Sequence, residues 1–170
     1  MRRVFVIATA FACLLISSTD AATSVLNGGQ RAALSAWLNR NPQFRLATEK
    51  DCNCDDDIRQ VRNSGPWVEP VPDFEPYTLV GDFRKNGHLD LAVVVTKIEP
   101  YDAEGVLVIF DGPFRGVGKQ PAFIGSVGYL EHAALFLTQE DKLLIFGAFE
   151  SEGCVFQPKH RTYAKDCGGD

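Results

Sequence analysis

The sequence predicts an α+β fold: a single disulfide-tied domain with N-terminal helices packed on a mainly antiparallel β-sheet. Two observations support this prediction. Apolar residues recur at helical spacing near the N-terminus, at Leu34, Trp37 and Leu38, whereas short apolar runs separated by Gly, Pro and Asp fill the chain after residue 76. The connections between these runs are short, which favours pairing between antiparallel neighbours.

The first element is a predicted signal peptide over residues 1–21. Arg2 and Arg3 precede an apolar run from Val4 to Ile16, and small residues follow it up to Ala21, where we expect cleavage. The apolar run is too short to span a bilayer, and no later stretch approaches that length. We therefore expect an exported protein, periplasmic or extracellular, with no membrane span.

The remaining residues, 22–170, are enough for one well-formed core. The whole chain has a formal charge of −5, and removal of Arg2, Arg3 and Asp20 with the signal peptide leaves −6. A negative chain argues against nucleic acid or anionic lipid as a partner, because phosphate groups bind clustered Lys and Arg. We expect a protein or a small extracytoplasmic ligand instead.

Four cysteines remain after export: Cys52, Cys54, Cys154 and Cys167. An even number in an exported chain predicts disulfides. A Cys52–Cys54 bridge is disfavoured because so small a ring is strained, and so we expect two long-range bridges from the N-terminal segment to the C-terminal tail. A redox dithiol and half of a zinc site are the alternatives for the Cys52–Cys54 pair, but the usual two-residue redox spacer is missing and an oxidising compartment disfavours zinc thiolates.

Residues 22–65 are the predicted helical part. The helix that contains Trp37 has Asn27 as a plausible N-cap and ends between Asn39 and Pro42.

Three aspartates at 55–57 favour the start of a second, short helix that ends near Gly65, because carboxylates stabilise a helix N-terminus. A calcium loop is the alternative for residues 51–55, where carboxylate and amide side chains alternate. It is disfavoured because Asp56 stands where an EF-hand requires Gly, and Arg62 where it requires Glu.

A Pro-rich connector over residues 66–76 leads to the β part, residues 77–170. Several of its strands are apolar on both faces and need cover on both sides. The N-terminal helix can supply one layer, and sheet curvature or a second sheet must supply the other. The predicted strands are Tyr77–Phe83, Leu89–Ile98, Val106–Phe110, Phe123–Val127, Ala134–Thr138, Leu143–Phe149 and Val155–Gln157, with a further one around Arg161–Ala164.

The segment from Gly81 to Val94, GDFRKNGHLDLAVV, joins two predicted strands through a loop rich in oxygen donors. Asp82, Asn86 and Asp90 recur at every fourth position, with Gly87 in the turn. The segment resembles the FG-GAP/VCBS repeat pattern, in which a D-x-N-x-D-G-x-x-D loop between two strands commonly binds calcium. Propeller proteins repeat this motif in every blade, but the chain has no second copy, and so we do not expect a propeller.

The resemblance implies a calcium site formed by Asp82, Asn86, Asp90 and the carbonyl of His88, with calcium as the only cofactor suggested. Arg84 departs from the pattern, which has Asn or Asp at that position. Its guanidinium can take the place of the metal by pairing with Asp82 or Asp90. Two interpretations remain open: a hairpin whose turn is held by its own Asp and Asn side chains, which we favour, and a weak calcium site. We expect the His88 side chain to point to solvent.

Other catalytic signals are incomplete, and no catalytic residue is assigned. The segment from Gly112 to Lys119 lacks the residues of a phosphate loop, and Ser126 is not in a nucleophile elbow. Glu131 and His132 are adjacent in a predicted turn, where such residues are usually solvated.

Two functions are carried forward. The overall layout also resembles small exported bacterial proteins of uncharacterised role, which implies a non-enzymatic binding, inhibitory or structural module, and we favour this function. The alternative is a small secreted, calcium-assisted hydrolase that uses carboxylates, for which Glu150 and Glu152 are candidates.

Overall fold

A computed structural model describes the chain over residues 26–63, 70–98, 104–116, 118–138, 141–149 and 153–168. The predicted signal peptide lies outside these ranges. None of the helices within them has both the length and the apolar character needed to cross a membrane.

The first helix, α1, spans Gly28–Arg40. As predicted, Asn27 is its N-cap: the Asn27 side chain accepts a hydrogen bond from the Gln30 N–H at 3.0 Å, and the Gln30 side chain accepts from the Asn27 N–H at 2.9 Å. This reciprocal pair satisfies amide groups that the first helical turn leaves without partners. The helix ends at Arg40, inside the predicted stop.

Three short elements complete the N-terminal part: β1 (Phe44–Leu46), α2 (Glu49–Cys52) and α3 (Asp55–Asn63). As predicted, the aspartates at 55–57 occupy the first turn of α3. The predicted end of this helix near Gly65 lies outside the described residues.

The disulfides differ from the prediction. The structure pairs Cys52 with Cys54 and Cys154 with Cys167, and so the expected long-range bridges are wrong. The cause is Asn53, which ends α2 in the left-handed conformation (φ 51°, ψ 39°). This turn places the Cα atoms of Cys52 and Cys54 5.1 Å apart, within the ordinary range for a disulfide.

Eight further strands follow, and each agrees with a predicted strand to within two residues at either end. They are β2 (Thr78–Gly81), β3 (Asp90–Lys97), β4 (Glu104–Phe110), β5 (Phe123–Tyr129), β6 (Ala133–Leu137), β7 (Leu144–Ala148), β8 (Gly153–Lys159) and β9 (Thr162–Asp166).

The strands form two antiparallel sheets. The first has the order β1-β3-β4-β5, with β2 also paired to β3, and the second has the order β6-β7-β8-β9. The predicted combination of helices and antiparallel strands in one disulfide-tied chain is confirmed at this coarse level. Strands predominate, and they form two sheets, one of the two arrangements that the sequence left open.

The two faces of strand β3 pack into two separate hydrophobic clusters. Leu91, Val93 and Val95 belong to one buried cluster, which also contains Leu34 and Trp37 of α1. The intervening residues of the strand point to the opposite face, because successive side chains alternate.

The second cluster lies on that opposite face. It joins Ala92 and Val94 of the first sheet to Leu135, Phe146 and other residues of the second. Of the two kinds of cover that the sequence left open for this face, a second sheet is the one observed. Burial of each large apolar side chain on these faces contributes about 1.5–3 kcal/mol to folding.

A β-bulge interrupts the ladder between β4 and β5. Gly105 pairs with Gly128 and Val106 pairs with Ser126, so that Val127 has no residue opposite it. Gly128 has a φ of +89°, which residues with a side chain rarely adopt.

The described end of the Pro-rich connector, residues 70–76, joins the helical part to the second sheet. Val71 donates its N–H to the carbonyl of Val61 at 3.0 Å, and Leu135 donates to the carbonyl of Pro76 at 2.7 Å. The described part of the connector is therefore anchored by backbone hydrogen bonds at Val71 and Pro76.

Candidate functional site

The hairpin between β2 and β3 is held by its own polar side chains. The two oxygens of Asp82 accept hydrogen bonds from the N–H groups of Asn86, at 2.9 Å, and Gly87, at 2.7 Å. These backbone donors lower the pKa of Asp82. The Asn86 side chain in turn accepts from the N–H of His88 at 3.0 Å, and His88 is exposed, as expected.

The Arg84 side chain contacts the start of β3 and the residues that follow β4. Its guanidinium donates to Oδ2 of Asp111 at 2.7 Å, to Oδ1 of Asp90 at 3.2 Å and to the carbonyl of Gly112 at 3.0 Å. Of the two partners predicted for Arg84, the structure confirms Asp90. The second carboxylate belongs to Asp111, which the sequence did not single out.

Asp90 is fully buried at the first position of β3. Its Oδ1 accepts from Arg84 and also from the N–H of Gly112 at 2.6 Å. Its Oδ2 and the Nε of Arg84 are both buried without a hydrogen-bond partner among the described residues. A buried carboxylate with one unpaired oxygen is costly unless a positive charge lies close to it.

Tyr163 connects this group to the second sheet. Its hydroxyl donates to Oδ1 of Asp111 at 3.3 Å. Burial raises the pKa of Tyr163, and the charges of Asp90 and Asp111 raise it further. Burial also raises the pKa of Asp111, although Arg84 opposes this effect. Tyr163 is therefore a neutral hydrogen-bond donor at physiological pH.

We call Arg84, Asp90, Asp111, Gly112 and Tyr163 the Arg84 cluster. Antiparallel pairing brings its members together, because the first residues of β3 lie opposite the last residues of β4. Tyr163 reaches the same place from β9. The cluster therefore links the hairpin to both sheets.

Gly112 is required for the close approach of two backbones within the cluster. A Cβ atom at this position would collide with the backbone carbonyl oxygen of Leu89.

The oxygens of the predicted calcium loop are engaged in other contacts in this arrangement. The oxygens of Asp82 and the side-chain oxygen of Asn86 accept backbone N–H groups, and Oδ1 of Asp90 faces the guanidinium of Arg84. In the described part of the chain, no three His, Cys, Asp or Glu side chains are grouped so as to hold a metal ion. Calcium binding at the loop, with the His88 carbonyl as a ligand, stays a prediction from the resemblance alone.

Sequence reasoning missed Asp111, Gly112 and Tyr163. Asp111 and Gly112 directly follow a predicted strand, and pairing of that strand with its neighbour would have placed them beside the loop. Tyr163 gives no local signal, because it lies in the last strand of the other sheet.

Those of the other sequence candidates that the structure describes do not meet at one site. The Glu131 side chain accepts from Asn53 at 3.0 Å, whereas Nδ1 of His132 lies 3.6 Å from Oδ2 of Asp57. The sequence from 112 to 116 and from 118 to 119 forms a loop without helix or strand. The proposed hydrolase carboxylates, Glu150 and Glu152, lie outside the described residues.

A second candidate surface is the side of β5 that does not pair with β4, which we call the β5 edge. The strand is last in its sheet, and no described strand pairs with this side. Ile124 and Tyr129 are 54% and 72% exposed. Nζ of Lys165 donates to the carbonyl of Ser126 at 2.9 Å, which shows that this carbonyl is open to groups outside the β4 ladder.

Comparison of the chain with models of known protein families, with curated proteins and with solved structures finds no match.

Proposed function

We propose that the chain is an exported, non-enzymatic binding module that accepts an extended polypeptide segment as an added strand on the β5 edge. The observation that carries this proposal is the side of β5 with which no described strand pairs, together with the exposure of Ile124 and Tyr129 on the same strand. An open strand edge offers N–H and C=O groups in a row, and another extended chain is the partner that satisfies such a row.

Charge defines the partner further. Glu104 lies opposite Tyr129 in the β4–β5 register, and Glu131 follows two residues later, so that this end of β5 carries negative charge. The exported chain is negative as a whole. We therefore expect the bound segment to be basic, with an apolar residue that packs on Ile124.

Lys165 protects the edge when no partner is bound. A lysine beside an edge strand discourages unwanted pairing, because its charge must be displaced before another strand can approach. Its hydrogen bond to Ser126 is exposed, and so displacement costs little.

The Arg84 cluster has a structural part in this proposal. Its charged groups bond to each other and to the backbone of Gly112, and they connect the hairpin to both sheets. Such a cluster holds the two sheets in a fixed relation, which keeps β5 in place for recognition.

Binding is tested by fluorescence anisotropy with three labelled octapeptides, in which Val alternates with Lys, Ser or Glu. We expect the Lys peptide to bind most tightly and the Glu peptide to show no binding. A fourth peptide replaces two adjacent central residues of the Lys peptide by Pro, so that each of its two edges loses a hydrogen-bond donor. Equal binding of the Pro peptide would show that simple charge attraction, and not strand addition, is responsible.

Two matched variants locate the contact. Ile124→Lys removes the apolar contact and places a charge of the same sign as the peptide in the edge surface, and we expect it to weaken binding of the Lys–Val peptide by about tenfold or more. Val71→Lys makes the same change at a side chain that is 42% exposed on the connector and should leave binding unchanged. Equal losses in both variants would contradict the placement of the site on β5.

Export is tested separately. We expect a periplasmic fraction of a bacterial host to contain the protein with Ala22 as its first residue, as shown by N-terminal sequencing. Retention of residues 1–21 in the cytoplasmic fraction would contradict this part of the proposal.

A further inference from the structure

Arg84 has the surroundings that a bound metal ion would have. Three oxygen atoms, from Asp90, Asp111 and Gly112, lie between 2.7 and 3.2 Å from its terminal nitrogens. Two of these oxygens belong to carboxylates, and the third belongs to a backbone carbonyl. These are the oxygen types that calcium prefers in proteins.

The charges around Arg84 do not balance. One guanidinium faces the carboxylates of Asp90 and Asp111, and Asp90 is fully buried. Within the described ranges, neither Oδ2 of Asp90 nor Nε of Arg84 has a hydrogen-bond partner. The oxygens therefore offer more negative charge and more acceptor sites than the guanidinium uses.

We propose that Arg84 is the resident cation of an oxygen cage formed by Asp90, Asp111 and Gly112, and that the cage binds a divalent cation when the guanidinium is removed. The native protein is thus independent of calcium because it carries its own cation. The cage is not the predicted calcium loop, because Asp82 and Asn86 belong to the loop but not to the cage. This inference does not depend on partner binding at the β5 edge.

The test compares thermal unfolding of the exported protein and of Arg84→Gln in 5 mM calcium and in chelator. We expect the wild-type midpoint to be the same in both conditions. Arg84→Gln should have a lower midpoint in chelator, because two carboxylates lose their cation, and calcium should raise that midpoint by about 5 °C through binding to the folded state. A calcium response in the wild-type protein would overturn the proposal.

Two double variants distinguish the cage from the loop. Arg84→Gln with Asp111→Asn removes a cage carboxylate and should abolish the calcium response. Arg84→Gln with Asp82→Asn alters the loop alone and should keep the response, although both midpoints fall. The opposite result, dependence on Asp82 and not on Asp111, would overturn the proposal in favour of a loop site.

Arg59→Gln is the matched control. Arg59 pairs with Asp56 on the exposed surface of α3, and both side chains are mostly exposed. We expect no change in calcium response and a midpoint close to wild type.

A second measurement applies if Arg84→Gln does not fold in chelator. Refolding of that variant is then followed by circular dichroism with and without calcium, and by terbium luminescence excited through Tyr163, whose hydroxyl contacts Asp111. We expect calcium to restore folding, and terbium to give a signal that Tyr163→Phe removes. Failure of both calcium-induced folding and terbium luminescence would overturn the proposal.

Discussion

The Arg84 cluster and the β5 edge use polar groups in opposite ways. In the cluster, side chains from three strands or their ends bond to one another and to the backbone, and little of them reaches solvent. At the β5 edge, backbone groups have few side-chain partners and the apolar side chains are exposed. The charged groups beside the most conspicuous motif are therefore internal, although the loop of the motif is exposed, and the surface that we propose for recognition has no motif.

Removal of the buried carboxylate should have the largest effect on stability. Asp90→Ala removes the acceptor of the Gly112 N–H and one of the three acceptors of Arg84 in a buried position. We expect the free energy of unfolding to fall by about 3–5 kcal/mol, measured by urea denaturation. Asp56→Ala, at a side chain that is 91% exposed, should change it by less than about 0.5 kcal/mol. A loss for Asp90→Ala as small as that of the control would show that the cluster is not a closed structural unit.

The disulfide between Cys154 and Cys167 supports both regions, because β9 carries Tyr163 and Lys165. Replacing both cysteines by Ala should reduce the free energy of unfolding by about 3 kcal/mol, since the bridge closes a loop between residues 13 apart. Amide hydrogen exchange should accelerate in β9 while β6 keeps its protection. Equal acceleration in β6 would indicate a loss spread over the whole sheet.

The contributions of Asp111 and Asp51 to the free energy of unfolding should change in opposite directions as the pH falls. Burial raises the pKa of Asp111 above 3.8, so its contribution to stability is fully present below pH 3.8 and is lost as the pH rises through the raised pKa. Burial also acts to raise the pKa of Asp51, but hydrogen bonds from Arg45 and Thr48 outweigh it and lower the pKa. The contribution of Asp51 is therefore present above pH 3.8 and is lost as the pH falls through the lowered pKa.

The check on this contrast is the free energy of unfolding of the wild type, Asp111→Asn and Asp51→Asn between pH 3 and pH 7. The wild type should gain stability relative to Asp111→Asn as the pH falls towards 3.8. It should lose stability relative to Asp51→Asn below that pH. Parallel curves for the two variants would contradict the assignment.

The smallest effect on stability is expected for a substitution at the β5 edge. Lys165→Ala removes one exposed hydrogen bond to Ser126, and the free energy of unfolding should change by less than about 0.5 kcal/mol. Binding of the Lys–Val octapeptide should strengthen, because both a competing donor and a like charge are removed. Weaker binding would show that Lys165 takes part in recognition and does not protect the edge.

The elements could be predicted because their signals are local. The cap at Asn27, the spacing of Leu34 and Trp37 and the both-face apolar character of β3 are each visible within a few residues. The hairpin held by Asp82 could be predicted for the same reason, because the bonds of Asp82 span at most five residues.

What could not be predicted depends on contacts between distant positions or on single backbone angles. Arg84 and Asp111 are 27 residues apart, and Tyr163 is 52 residues beyond Asp111, so their contact follows from the packing of the two sheets. The bridge between Cys52 and Cys54 depends on the left-handed conformation of Asn53. Spacing alone gives no sign of either.

The bulge at Val127 limits how long an added strand can be. The β4–β5 register is continuous from Phe123 to Ser126 and shifts immediately afterwards, and Gly128 has positive φ. A second chain could form a regular ladder with this part of β5 over about four residues, or roughly 13 Å, before the change in twist separates the backbones. The affinity of a bound peptide would then rise with its length only up to about four residues in the ladder. Residues beyond the fourth would add little affinity.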